Sequence, residues 1–324
     1  MSELAIVIVN WNGGGLLRAA VESIARHPPG LAFEVVVVDN ASTDDSLAWL
    51  RAGGARSALA GAPLRLVENA DNRGFSKANN QGFAATGAPL LMLLNSDAEV
   101  RAGAIDRLVA TLSAGERTGA VGARLVNPDG SLQPSVYRNP PAAWHTLVEG
   151  FRLSRLIPAR WRGELLLGGH WDHARRRRVT RLSGACMLVR RAVIEDVGGL
   201  DESYHMYGED VEWCLRIARA GWHLVHEPEA VVMHHGSGSS RQRWGTLETY
   251  RRIIDGQLRF QERCLSRPRL VSNILAASAV AGASLLRLTL TRRPAPEQRA
   301  ALSLYARSLA RAFGRGRGAD GKEG

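Results

Sequence analysis

The chain has 324 residues, 45% of them hydrophobic, and a formal net charge of +11. That length and apolar content suffice for one large core or two modest ones, which excludes a disordered chain or a disulfide-stapled mini-protein. Cys186, Cys214 and Cys264 show no CxxC spacing, so they read as buried thiols in a reducing compartment and not as a zinc or disulfide framework.

The start, Met1-Ser2-Glu3-Leu4, has no basic region or apolar signal segment, so the expected location is cytosolic, peripheral on the cytosolic face of the inner membrane. Leu4 to Val9 reads as a strand. Leu17, Ala20, Val21 and Ile24 then recur at helical spacing, stopped by Pro28-Pro29-Gly30. Glu34 to Val38 is a second strand, after which Asp44, Asp45 and Ser46 open a helix through Leu50 with acids where the helix dipole favours them. Leu64 to Val67, Ser76 to Ala85 and Leu90 to Leu94 continue as strand, helix and strand. This alternation predicts an α/β fold with a doubly wound, parallel sheet covered on both faces.

A helix follows over 103–113, then a strand from Val121 to Val126 leading into a turn at Asn127-Pro128-Asp129-Gly130. Residues 140–178 show no period. A strand is expected over 182–189, a helix over 209–220, and late strands at Val225 and at Val231 to Met233, ending on His234-His235. From Leu247 the pattern is helical. Leu270 to Leu286 is uncharged but short and only moderately apolar for a membrane span; with Arg267, Arg269, Arg287, Arg292 and Arg293 around it, an interfacial helix fits better. A helix packed on its own domain or on a second subunit, as a homo-oligomer, fits the same pattern. Arginine crowds this second half, which points to an anionic partner. No RNP motif or basic recognition helix is present, so the partner expected is an anionic membrane surface and not nucleic acid. The domains expected are 1–246, with a nucleotide half to about residue 100 and an acceptor half from 101, a helical extension 247–312, and a disordered tail 313–324.

Several strand ends carry chemistry. Leu90 to Leu94 stops at Asn95-Ser96-Asp97, which sets a carboxylate at the carboxyl edge of the sheet, where α/β folds bind ligands. A hard cation such as Mg²⁺ or Mn²⁺, bridging that carboxylate and a diphosphate, is a natural occupant. Asn10 to Gly15 lacks a G-x-G-x-x-G, against a dinucleotide cofactor, and lacks the Arg and Lys of a pyrophosphorylase loop. Asp39, ending strand two, can accept hydrogen bonds from a ribose or a pyrimidine N3–H, or form an Asx turn with a helix cap. Asn72, Arg73 and Lys77 can reach a nucleotide or diphosphate near a helix N-terminus, or make a capped turn. Glu209 and Asp210 open a helix behind Gly208; acids there are caps, and Asp210 also suits a base for a hydroxyl proton. His234 is a candidate metal ligand beside Asp97, with a structural histidine as the plainer reading.

Taken together, Asn10-Trp11-Asn12-Gly13, Asp39-Asn40-Ala41-Ser42-Thr43-Asp44, Asn72-Arg73-Gly74-Phe75, Leu94-Asn95-Ser96-Asp97, Asn127 to Ser135, Gly198-Gly199-Leu200-Asp201-Glu202 and Gly208-Glu209-Asp210-Val211-Glu212-Trp213-Cys214-Leu215-Arg216 resemble glycosyltransferase family 2, and within it the rhamnosyltransferase branch. The resemblance spans about Leu4 to Ser240. It implies a GT-A fold, a Rossmann-like nucleotide-binding, mostly parallel sheet flanked by helices with a helical C-terminal extension, and an inverting, metal-dependent hexosyltransferase using a nucleotide-sugar donor. It assigns Asp210 as catalytic base with Glu209 beside it shaping the acceptor site, Asp97 as the divalent-metal ligand, and His234 as a metal or diphosphate ligand with His235 as the fallback. Donor contacts fall to Val9, Asn10, Asn12, Asp39, Asn72, Arg73, Gly74, Lys77, Asn95 and Ser96, with Asp39 on the pyrimidine. The donor implied is dTDP-L-rhamnose, and UDP- and GDP-sugars fit the same scaffold. The acceptor implied is a lipid-linked glycan or a polysaccharide of cell wall or cell-envelope synthesis. The family's Asp-x-Asp stands here as Asn95-Ser96-Asp97, one carboxylate short, which also leaves room for a membrane-associated sugar-nucleotide binder without turnover.

Overall fold

The architecture comes from a computed structural model that describes residues 2–236 and 238–314, with the backbone alone for 238–244. The chain divides into two compact units, 1–139 with 167–239, and 140–166 with the residues from 240 onward.

In the first unit the elements run β1 (Leu4–Asn10), α1 (Gly15–Arg26), β2 (Phe33–Asp39), α2 (Ala48–Arg51), α3 (Gly54–Ala58), β3 (Leu64–Glu68), α4 (Phe75–Ala84), β4 (Leu90–Asn95), β5 (Ala98–Val100), α5 (Ala104–Ser113) and β6 (Thr118–Val126). The chain leaves for α6 (Ala143–Gly150) and α7 (Ala159–Leu166) in the second unit. It returns for β7 (Arg177–Val179), β8 (Cys186–Arg190), α8 (Arg191–Val197), α9 (Glu209–Arg219) and β9 (His223–His234).

The strands form one sheet in the order β3-β2-β1-β4-β8-β6-β9-β5, with β7 on β9. Strand alternation splits its core into two apolar layers. Leu4, Ile6, Ile8, Val35, Val37, Met92 and Leu94 point to the face covered by α1 and α5. Ala5, Val7, Val36, Val38, Leu91 and Leu93 point to the other, covered by α4, α8 and α9. The stripe Leu17, Ala20, Val21 and Ile24 of α1 is fully buried. Each of its three larger side chains contributes about 1.5–3 kcal/mol of transfer free energy.

The expected parallel pairing holds from β3 to β4 and again between β6 and β9. β8 runs antiparallel to both β4 and β6, β6 and β9 are parallel, and β5 and β7 oppose β9. The sheet is therefore mixed. A parallel neighbour needs a crossover helix, and the strand–helix alternation stops at β4, where only Ser96-Asp97 separates it from β5.

Two local expectations also change. The helix placed at Asp44 begins at Ala48, because Asp44 holds a loop: its Oδ1 accepts from the Ser46 N–H and hydroxyl, and its Oδ2 from the Gly14 N–H. The late strands are one, β9, whose register to β6 slips between Ala123 and Arg124. Pro228 sits in that slip, where a missing N–H is tolerated. Cys186 and Cys214 are buried free thiols, pushed up to about 12 by desolvation, while Cys264 is half-exposed.

The second unit contains α10 (Gly238–Cys264), broken at Gly245, α11 (Arg267–Leu290) and α12 (Pro296–Gly314). Ile254, Leu258, Leu270, Ile274 and Ala301 form its core. α6 closes on α11 at Gly150, where a Cβ would lie 2.3 Å from a Val280 methyl. Residues 140–166, assigned from sequence to the acceptor half of the first domain, thus cluster with the C-terminal helices. Phe313 and Gly314 close α12, and the rest of the expected tail lies outside the described residues.

Candidate active site

Strand register assembles one edge of the site. Asn10 pairs with Asp39 across β1 and β2, and Val9 with Asn95 across β1 and β4, so the carboxyl ends of three parallel strands lie abreast. Val9 itself packs into the second apolar layer.

Asp39 is buried. Its Oδ1 accepts from Asn10 Nδ2 at 2.8 Å and from the Ser42 hydroxyl at 2.6 Å, and its Oδ2 from the Ser42 N–H at 2.9 Å. The Asx-type turn is therefore real, and Oδ2 retains one further lone pair. Asn10 also donates to Ser46, and Asn12, at φ 48°, accepts from the Thr43 N–H at 2.7 Å. These two asparagines lock the loops after β1 and β2 together.

Next to Asp39, Asn40 donates to the Gly74 carbonyl at 3.2 Å and accepts from Asn69, which exchanges two hydrogen bonds with Gln81. Asn72 accepts from the Gly74 N–H, and Arg73 turns outward to Asp71 at 3.1 Å. Lys77 lies half-buried on the first turn of α4. Gly74 has φ 83°, and a Cβ on it would sit 2.7 Å from His205. Only glycine lets the two loops approach so closely. The Phe75 N–H donates to the His205 carbonyl at 2.8 Å, which binds the β3–α4 loop to the segment before α9.

The second edge is the turn Ser96-Asp97 with the end of β9. Ala98 pairs with His234, and the His235 N–H donates to the Asp97 carbonyl. His234 Nε2 lies 3.2 Å from Asp97 Oδ1 and 3.2 Å from Asn95 Nδ2. On the far side of the ring, Nδ1 is 2.7 Å from Gln133 Oε1. Gln133 Nε2 donates to Asn127 and to the His234 carbonyl, which fixes its amide so that Oε1 faces the ring. The imidazole proton is thereby assigned to Nδ1, and Nε2 presents its lone pair toward Asp97. Two acceptors at 3.2 Å need a proton or a cation between them. Among the described residues the buried Asn95 Oδ1 has no partner. His235 turns instead to Glu99, 3.1 Å away, which also meets Arg26.

The donor set fits a divalent ion: one carboxylate, one imidazole with a hydrogen-bonded second shell, and an amide at its side. Among the described residues no group of three or more His, Cys, Asp and Glu is placed to hold a metal. An ion held there would need its remaining ligands from a bound diphosphate or water.

The third part is the start of α9, capped by Gly208 at φ 100° and preceded by Tyr207 at φ 70°. Asp210 Oδ1 accepts from the Val211 N–H at 2.8 Å, and Oδ2 lies 3.4 Å from the Gly184 N–H and 3.7 Å from the Arg181 guanidinium. Arg181 in turn lies over the Tyr137 ring, 5.5 Å from its centre. The Ala185 carbonyl accepts from the Asn95 N–H at 3.0 Å. Residues 184 and 185 therefore touch Asp210 on one side and Asn95 on the other.

Glu209 is buried, with no partner for Oε2 among the described residues. Desolvation, and then the neighbouring charge of Asp210, push its carboxyl up to about 8. Gly198-Gly199-Leu200 is an anchor instead: Asn80 bonds Leu200 at both N–H and carbonyl, and Trp213 Nε1 donates to the Gly198 carbonyl.

Gln133, Arg181, Tyr137 and His205 belong to this constellation and were not singled out as site residues from sequence. Gln133 lies within the Asn127 to Ser135 motif, the only one of the four with a local signal.

The family model "Glycosyl transferase family 2" matches residues 5–198, and "Glycosyl transferase family group 2" matches 146–294. The chain is 32% identical over 254 residues to an N-acetylglucosaminyl-diphospho-decaprenol L-rhamnosyltransferase of Mycobacterium tuberculosis, covering 73% of this chain and 77% of that one. It is also 32% identical over 97 residues to the rhamnosyltransferase WbbL of Escherichia coli, 28% of this chain and 32% of that one. Among solved structures, the mannosyltransferase PcManGT of Pyrobaculum calidifontis, in complex with GDP-Man and Mn²⁺, superposes with a TM-score of 0.57 at 18% identity, covering 98% of this chain and 88% of that one. The mixed, mostly parallel sheet with C-terminal helices is the GT-A-like fold, and the chain belongs to glycosyltransferase family 2.

Proposed function

We propose that this glycosyltransferase transfers L-rhamnose from dTDP-L-rhamnose, with inversion, to a lipid-linked glycan acceptor. The observation that carries the chemistry is the placement of Asp210: Gly184-Ala185 links it to Asn95, beside Asp97 and His234. The rhamnosyl donor rests on likeness to the mycobacterial relative.

In this reading Asp210 takes the proton from an acceptor hydroxyl. The oxygen attacks the anomeric carbon on the face opposite the nucleoside diphosphate, and the sugar–phosphate bond breaks. One base suffices, because a diphosphate leaves without protonation; a glycosidase would need a second carboxyl as acid. Asp97 and His234 would hold Mg²⁺ or Mn²⁺, with Asn95 at their side, and the ion would offset charge gathering on the diphosphate. Gln133, accepting from Nδ1–H, holds the His234 ring so that Nε2 faces that site, and Asp39 Oδ2 receives the pyrimidine. The basic helices over 247–312 would hold the enzyme on the cytosolic face of an anionic membrane, where lipid-linked acceptors lie.

Calorimetric titration with dTDP-L-rhamnose, UDP-glucose and GDP-mannose, with Mn²⁺ or EDTA, tests the donor and the ion together. The dTDP-sugar should bind tightest and lose affinity in EDTA. A UDP- or GDP-sugar binding tighter would overturn the rhamnosyl assignment and keep the mechanism, while donor binding indifferent to EDTA would refute the metal role.

A further inference from the structure

Of eleven large hydrophobic side chains exposed among the described residues, all but Tyr137 belong to the second unit, and six lie between Trp144 and Leu165. They are arranged in rows. Trp161 and Leu165, 53% and 42% exposed, share a face of α7 at i, i+4 spacing. Leu153 and Leu156 eclipse each other in a single 3-10 turn, with Leu156 80% exposed. Arg152 and Arg155 form the neighbouring row, also exposed, and Arg160 stacks on the Trp161 ring at 4.6 Å. Helices that bury an apolar face would turn these leucines and tryptophans inward; here they face out, interleaved with cations.

We infer that the 140–166 excursion is a lipid-docking element, with Trp144, Leu156 and Trp161 entering the interfacial layer of an anionic bilayer while Arg152, Arg155 and Arg160 meet headgroup phosphates. This rests on the membrane reading above and assigns it to a segment outside the C-terminal helices. Charge complementarity selects the occupant. Residues 140–166 and 245–314 together hold sixteen arginines against six acidic residues, so two copies of this face would repel, whereas anionic lipid is attracted. α11 adds a stripe of its own, Leu275, Leu286 and Leu290, at helical spacing. The excursion also departs from the catalytic scaffold at a fixed point: Asn139 Nδ2 donates to the carbonyl of Val211, directly after Asp210.

The test is flotation of the full chain with phosphatidylcholine vesicles, with and without phosphatidylglycerol. Three forms are compared: wild type, W144S/L156S/W161S, and L275S/L286S/L290S. Wild type should bind only the anionic vesicles, and the first variant should lose at least ~10-fold in partitioning. R152Q/R155Q/R160Q, altered only at exposed positions, covers the case of misfolding and should lose roughly fivefold per arginine at low salt. If the 140–166 variants partition like wild type while the α11 variant fails, this inference is wrong and the membrane reading survives. If wild type ignores both vesicles, both are wrong. A dimer in sedimentation velocity that dissociates in W144S/L156S/W161S, with vesicle binding unchanged, would replace lipid by a second copy.

Discussion

Glu209→Gln separates the electrostatics of the α9 start from its shape. Glu209 is 7% exposed, and its carboxyl moves from an ordinary 4.5 to about 8 on folding, from burial first and Asp210 second. The folded state therefore holds a proton that the unfolded chain releases, and stability is greatest below the unfolded value and falls as pH rises toward the folded one. One proton corresponds to about 1.4 kcal/mol per pH unit, so wild type should lose on the order of 4 kcal/mol relative to the glutamine variant between about pH 5 and pH 8. Glutamine keeps the volume and cannot ionise. Urea unfolding of both proteins at intervals across that range, compared at constant m, measures the difference directly. Parallel stability curves would show that Glu209 does not hold a proton in the folded protein. In the same samples, E209Q should keep turnover at pH 7 within about tenfold, since the base remains; general-base loss costs roughly 10²–10⁴.

Asp210→Asn should lower kcat by about 10²–10⁴ with donor affinity nearly unchanged; a full-rate variant in a nucleotide-release assay would remove Asp210 as base. Gln133→Leu removes the acceptor for His234 Nδ1–H, 2.7 Å away, and should raise the Mn²⁺ concentration needed for half activity by about 10–100-fold. An unchanged Mn²⁺ titration would put the ion elsewhere. Gly82→Ala places a Cβ 2.3 Å from a Val7 methyl between α4 and β1, and should cost about 1–3 kcal/mol by overpacking. A Tm equal to wild type would mean the α4–β1 contact yields more easily than its geometry implies.

The strand ends were legible in sequence because an apolar run and its polar stop are adjacent in the chain. Asn10, Asp39 and Asn95 therefore align as soon as β1, β2 and β4 pair in parallel, and the Gly208-Glu209-Asp210 helix start is equally local. The Asp44 loop misled for the same reason: acids before an apolar stretch look like a helix entry, and only the Gly14 N–H, 30 residues away, shows what Asp44 binds.

What the sequence determined by itself is thus the set of short-range features: strand and helix cores, the capped turns, and which polar residues end each strand. The tertiary structure alone decided the antiparallel entry of β8 and the Gln133 acceptor 101 residues from its histidine. It also decided that the aperiodic 140–166 segment clusters with α10 to α12. Local propensity acts over one helical turn or one strand pleat. Partners farther apart are chosen by how whole elements pack, and no pattern within a single element records that choice.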